Sequence, residues 1–340
     1  MTKKKQDASA GSRYVLGFDG GGTKSICVVA REDGEVVGVG ASGISNFQGV
    51  GVVHAGQQVK EAVDKALAMA GITAKDVVTA AYGVAGADRE ADFDIVASYV
   101  EPNNPADWML LSNDTTIALR AGTVDGVGLA LICGTGANCI GFNGCGVLAK
   151  VGGLGRFSGD PGGGEDIVER AIIAGLSGED GRGPKTLLYR RLAEALGVEA
   201  LEDLIAFFYP DDYHPVELGK LAPVVFATAA EGDIVARRLL ENVGDQLGKN
   251  AVAAARRLFK KQESFPIVLG GSILQKSKPP ILVERLTLQV SKHFPNASIV
   301  RLTHEPVMGA VFFALDLMHG RAGKQRMARV IRSYKPLAVR

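Results

Sequence analysis

The stretch Asp19-Gly20-Gly21-Gly22-Thr23-Lys24 gathers a carboxylate, a run of glycines, a hydroxyl and an ammonium group into one short segment. Without Cβ atoms, a glycine turn can close on an anion and aim successive N–H groups at it, so such a segment can cradle phosphate. Thr23 adds a hydroxyl donor, and Asp19 can hold Mg2+ through water. The segment lies between two β-prone runs, residues 14–18 and 25–30. That excludes a P-loop, whose GxxxxGK[ST] opens a helix. Taken singly, the turn is equally well a plain hairpin. A second turn of the same kind, Gly134-Thr135-Gly136-Ala137-Asn138, sits between apolar residues 129–133 and 139–142. Two phosphate-accepting turns are what a nucleotide clamp requires, and Asn138 is placed to reach phosphate or substrate.

Ser112-Asn113-Asp114 follows a short strand at 108–111 and precedes a helix from 115. A carboxylate at Asp114 can take the proton of a hydroxyl that attacks a γ-phosphorus. All three residues also suit helix capping, and the two roles can coexist among them. Gly270-Gly271-Ser272, after a strand at 266–269, lets a nucleoside lie against bare backbone or simply turns the chain into a helix. His54, His214, His293, His304 and His319 form no metal-binding spacing.

The elements that would position these residues follow from periodicity and punctuation. A helix is expected over 52–70, closed by Gly71. A strand over 77–84 leads into Gly86-Ala87-Asp88, with a helix at 93–100. Residues 151–164 form a glycine-rich loop before a helix at 165–174, and 185–247 is mainly helical. A strand at 299–302 precedes Glu305-Pro306-Val307-Met308-Gly309-Ala310 and a helix ending near 318. The repeated strand–glycine turn–strand unit points to an internal duplication. The expected organisation is a disordered tail (1–13), an α/β lobe (14–122), a second lobe with a helical insertion (123–320) and a solvated basic tail or dimer arm (321–340), with the lobes facing a cleft.

The chain has 340 residues, 46% hydrophobic and 22% charged, with a net charge of +1. This supplies two cores and no global field to recruit nucleic acid or an anionic membrane. The four cysteines, Cys27, Cys133, Cys139 and Cys145, contain no CxxC pair and read as buried free thiols of a reducing compartment. The basic, polar start lacks the apolar core of a signal peptide, and no run reaches membrane-spanning length. A cytoplasmic homodimer acting on a small molecule is the expectation.

The order DGGGTK (19–24), GVAGADRE (83–90), SND (112–114), CGTGAN (133–138), GGLG (152–155), GD (159–160), GGS (270–272) and PVMGA (306–310) resembles the N-acetylglucosamine kinase-like branch of the BadF/BadG/BcrA/BcrD ATPase family, over residues 14–318. That family belongs with actin, hexokinase and the heat-shock ATPase chaperones. The resemblance implies a duplicated α/β ribonuclease H-like fold with an interlobe ATP cleft, and a sugar kinase using ATP and Mg2+. It makes Asp114 the catalytic base. It puts Asp19, Gly21, Gly22, Thr23, Lys24, Gly134, Thr135, Gly136 and Ala137 at the phosphates. Gly232 in Glu231-Gly232-Asp233, with Gly270 and Gly271, would lie near the nucleoside. Asn46, Asn138, Gly153, Leu154, Gly155 and Asp160 would line the sugar site.

This chain departs from the pattern where such kinases read GGWG and GDEGS. Leu154 replaces an aromatic wall, and Pro161-Gly162-Gly163 follows Asp160 without the acid and hydroxyl. The alternatives are an iron–sulfur ATPase that activates CoA-ester dehydratases or reductases, against which stands the lack of cysteine after Cys145, and a nucleotide-dependent regulator without transferase activity.

Overall fold

The computed structural model describes residues 13–155, 159–203 and 218–334. The chain forms two compact units, Met1–Val127 together with Leu302–Arg340, and Gly128–Arg301.

The first unit opens with strands β1 (Tyr14–Gly20), β2 (Ser25–Arg31) and β3 (Val36–Ser42), then helices α1 (Phe47–Val50) and α2 (Val52–Ala70). Strand β4 (Val77–Val84), helix α3 (Glu90–Val100), strand β5 (Trp108–Ser112) and helix α4 (Asp114–Gly122) follow. The sheet order is β3-β2-β1-β4-β5, antiparallel between β1, β2 and β3, and parallel between β1, β4 and β5. Successive strand residues point to opposite faces, so each buried face draws on alternate positions. Leu16, Phe18, Cys27 and Val29 join the core under α2 and α3, while Val15, Ile26, Val28 and Ala30 join another. With both faces covered, β1 and β2 read as near-continuous apolar runs. Helix α2 ends where the sequence predicts, with Gly71 left-handed and its N–H on the Ala68 and Leu67 carbonyls.

The second unit holds β6 (Gly128–Cys133), β7 (Ala137–Phe142) and β8 (Leu148–Gly152), then helices α5 (Gly164–Glu179), α6 (Leu188–Leu196), α7 (Ala222–Ala230) and α8 (Ile234–Arg256). Strand β9 (Pro266–Gly270), helices α9 (Ser272–Lys276) and α10 (Ile281–His293), and β10 (Ser298–Arg301) complete it. Its sheet runs β10-β9-β6-β7-β8, parallel between β10, β9 and β6, and antiparallel between β6, β7 and β8. Taken from the other edge, this is the topology of the first unit. The duplication expected from the two glycine turns is therefore a duplication of whole sheets.

Three expectations need correction. The second lobe does not run to 320, because from Leu302 the chain belongs to the first unit. Helix α11 (Val307–His319) packs on the open face of its sheet, where Gly17 lacks the Cβ that would stand 2.5 Å from the Val311 nitrogen. The part of the basic tail within the described residues, 321–334, is no solvated arm either, and 335–340 lie outside them. Helix α12 (Gly323–Ser333) buries Val330 and is followed by buried Tyr334. Its Arg329 reaches Asp33 at 2.8 Å and Glu35 at 3.1 Å. Lastly, Cys27, Cys133 and Cys139 are buried, but Cys145 is exposed in the β7–β8 turn. Among the described residues, no helix is long and apolar enough to cross a membrane.

Candidate active site

In the first unit, the pairing register brings the carboxyl ends of three parallel strands level. Gly20 lies opposite Val84, and Gly83 lies opposite Ser112. Open α/β sheets bind ligands beyond those ends. Asp19, the Gly86-Ala87-Asp88 turn and Asp114 all emerge there. The β1–β2 turn is closed by the Gly21 N–H on the Lys24 carbonyl at 3.1 Å, leaving Gly22, Thr23 and Lys24 exposed. Ser45 seats the next loop on this turn, its N–H donating to the Gly21 carbonyl at 3.3 Å and its hydroxyl accepting from Ser25 at 2.7 Å. Asn46 follows directly. Its Oδ1 accepts from the Gln48 N–H at 3.0 Å and lies against Gly86, where a Cβ would stand 2.6 Å away.

Asp114 is the first residue of α4, and the cap is Asn113. The Asn113 Oδ1 accepts from the Thr115 N–H at 2.9 Å, while its amide donates to Asp88 at 3.1 Å. The division of labour left open by the sequence is thus resolved in favour of Asn113 as cap. Asp114 accepts from the Thr115 N–H at 2.9 Å, which fixes its orientation. Asp19 shows the electrostatics of this corner. Burial, then the charges of Asp114 and Glu305, push its carboxyl up to about 7, with Lys24 opposing.

In the second unit, separate glycine segments converge on the β6–β7 turn. The Gly134 N–H donates to Gly136 at 2.9 Å, and the Gly164 N–H, opening α5, donates to Gly134 at 2.8 Å. Gly271 sits at φ 82°, and a Cβ there would stand 2.1 Å from the Cys133 carbonyl oxygen. Only glycine satisfies both demands, which is why the Gly270-Gly271 turn can lie against the base of the β6–β7 turn. Thr135 and Gly136 are exposed at its tip, and Ala137 opens β7.

The proposed sugar residues of this unit are neighbours too. Asn138 pairs across the sheet with Gly152, and Gly153 lies against its side chain, where a Cβ would fall 2.5 Å from Oδ1. Asp160 accepts from the N–H groups of Leu154 and Gly155, both at 2.7 Å. It therefore shapes the backbone around Leu154, a residue that is 59% exposed.

Gly232 stands apart. It turns α7 into α8 at φ 97°, and Asp233 caps α8 through the Ala236 N–H at 2.8 Å. Local geometry accounts for it, and no described contact joins it to Gly271. The sequence reading gave no site role to Asn113, Asp88, Glu305 or Tyr334. Glu305, beside the PVMGA run, carried the one legible signal.

Paired ribonuclease H-like sheets, each with a glycine turn between its first two strands, define the duplicated actin/hexokinase-type fold. The chain belongs to the BadF/BadG/BcrA/BcrD ATPase family, whose model matches residues 16–314. It is 33% identical over 313 residues to an N-acetyl-D-glucosamine kinase of Dictyostelium discoideum, covering 88% of this chain and 97% of that one. It is 28% identical to an N-acetylmuramic acid/N-acetylglucosamine kinase of Clostridium acetobutylicum, over 89% of this chain and 98% of that one. A candidate N-acetylglucosamine kinase from Chromobacterium violaceum has a similar solved structure, with TM-score 0.68 and 25% identity over 89% and 99% of the two chains.

Proposed function

We propose that this protein transfers the γ-phosphoryl group of ATP to a hydroxyl of N-acetylglucosamine or a related amino sugar. The observation that carries the reading is Asp114 at the strand ends of the first unit, oriented by Thr115 and in the same electrostatic field as Asp19 beside the glycine turn. The acceptor hydroxyl attacks the γ-phosphorus, the bond to the β-phosphate oxygen breaks, and ADP leaves. Asp114 takes the hydroxyl proton as the new P–O bond forms. The N–H groups and hydroxyls of the turns around Thr23 and Thr135 hold the phosphates, and Gly270 and Gly271 present bare backbone to the nucleoside. The relatives named as sugar kinases support this reading.

Mg2+ fits the donors present. Among the described residues no cluster of His, Cys, Asp or Glu forms a closed metal cage. Mg2+ is usually held by a carboxylate or two, by water and by the phosphates themselves, which matches Asp19 beside a phosphate turn. When bound, it would neutralise phosphate charge. Free buried thiols and ATP as substrate favour a cytoplasmic site of action.

For the acceptor, Asn46, Asn138 and Asp160 offer amide and carboxylate partners to neighbouring hydroxyls. Leu154 in place of an aromatic wall favours a reshaped pocket. The test is ADP release with N-acetylglucosamine, N-acetylmuramic acid, glucosamine and glucose, on wild type and on Asp160→Ala. An N-acetylated amino sugar should give the highest kcat/KM, and Asp160→Ala should lower it. If no sugar raises ADP release above the water background, a nucleotide-dependent regulator replaces the kinase.

A further inference from the structure

The family resemblance puts Lys24 at the phosphates, directly after Thr23 of the β1–β2 turn, and leaves open what holds it there. A lysine carries a compact charge on a flexible four-carbon stem, so its value at a phosphate depends on being kept in place. Lys24 Nζ lies 3.8 Å from Glu305 Oε1, with the two side chains 56% and 38% exposed. An ion pair this open contributes little to stability. Glu305 itself is held. The hydroxyl of Tyr334 donates to its other oxygen, Oε2. Tyr334 is 8% exposed, and a buried phenol needs such an acceptor, so each partner fixes the other.

Tyr334 is in turn placed by helix α12. The Val36 N–H donates to Ser333 Oγ at 2.9 Å, and Arg326 Nε donates to the Glu32 carbonyl at 3.0 Å. A chain of contacts thus runs from the β2–β3 hairpin through α12 and Tyr334 to Glu305 and Lys24. Protein kinases use a comparable arrangement, in which a glutamate on a helix holds the lysine that meets the nucleotide phosphates.

We propose that Glu305, anchored by Tyr334, is a positioning residue that holds Lys24 for the phosphates of ATP. This rests on the β1–β2 turn being a phosphate site. It makes the C-terminal helix part of the nucleotide-binding apparatus of its unit.

The test is calorimetric binding of ATP with Mg2+, together with kinetics, on Glu305→Gln, Lys24→Met, the double variant and Tyr334→Phe. Glu305→Gln keeps an acceptor for the Tyr334 hydroxyl but loses the charge that holds Lys24. It should weaken ATP binding about five- to tenfold, with KM for the sugar and the melting temperature little changed. Lys24→Met should weaken ATP at least as much, and adding Glu305→Gln to it should then change nothing further, since contacting residues that act as one unit are not additive. Tyr334→Phe should weaken ATP in the same direction by a smaller factor.

Unchanged or tighter ATP binding in Glu305→Gln overturns the proposal, as does an undiminished effect in the Lys24→Met background. So does an effect confined to melting temperature. Because ATP binding is read without a sugar, failure of the kinase reading shows separately, as ATP binding with no sugar-stimulated turnover.

Discussion

The carbonyl oxygen of Ile117 lies 1.9 Å from where a Cβ on Gly309 would stand. Helices α4 and α11 therefore meet backbone to backbone, one turn along α4 from Asp114. Gly309 belongs to the PVMGA run, and this contact gives that run a physical role: it sets the depth of the helix that carries Asp114. Gly309→Ala should force the two helices apart, at a cost of about 2–3 kcal/mol. Lower melting temperature together with reduced turnover is the expected result. A variant with wild-type values for both would show that the contact can relax freely.

Asp114→Asn keeps the size and much of the hydrogen bonding of the side chain but removes the proton acceptor. Turnover should fall by a factor on the order of 10² to 10⁴, with ATP affinity little changed. Near-normal turnover in this variant would return Asp114 to a purely structural place at the start of α4.

The glycine turns allow a cleaner experiment than most. A Cβ on Gly22 or Gly136 meets nothing within 4 Å, and neither residue has positive φ. Alanine at either position should leave the fold intact yet stand where the phosphates must approach, raising KM for ATP. Gly271→Ala is the contrasting control. Its clash with Cys133 and its left-handed φ should cost roughly 2–4 kcal/mol of stability. ATP binding unchanged in both Gly22→Ala and Gly136→Ala would count against the phosphate reading of both turns.

Asp19 makes the stability of the ligand-free protein depend on pH. Its carboxyl titrates near 3.8 in the unfolded chain and at about 7 in the folded one. Between those values the native state holds more protons, so this contribution is complete below the lower value and is lost as pH rises through the upper. Asp19→Asn removes the charge and with it this dependence. Above neutrality the variant should therefore be more stable than wild type, on the order of 2 kcal/mol after allowing for its partial exposure, while losing activity. Melting curves at pH 5 and pH 8 decide the matter. An equal pH response in both proteins would rule out Asp19 as the source.

Much of this architecture was legible in the sequence because it is local. The glycine turns, the strand leading to Asp114 and the end of α2 at Gly71 are set by residues adjacent in the chain. What escaped is set by distant partners. Strand β3 reads VVGVGAS, and its glycines break the expected alternation. They do so because α2 lies close, with a Cβ on Gly40 falling 2.0 Å from the Ala62 carbonyl. The charges of α12 suggested solvent, but Arg329 is matched by Asp33 and Glu35 in a hairpin nearly three hundred residues earlier.

The return of the chain to its first unit bears on how the protein is made. Strands β1 and β2 present Val15, Ile26 and Val28 on the face that Val307, Val311 and Phe312 later cover. All of residues 128–301 must be synthesised in between, which at ribosomal speeds of 5–20 residues per second takes on the order of 10–30 s. The second unit is contiguous and can fold as it emerges. The first must wait with an apolar face bare, in the crowded space outside the ribosome, until its last helices arrive. Nascent-chain binding by chaperones should therefore concentrate on the opening third of the sequence, and release should coincide with emergence of α11.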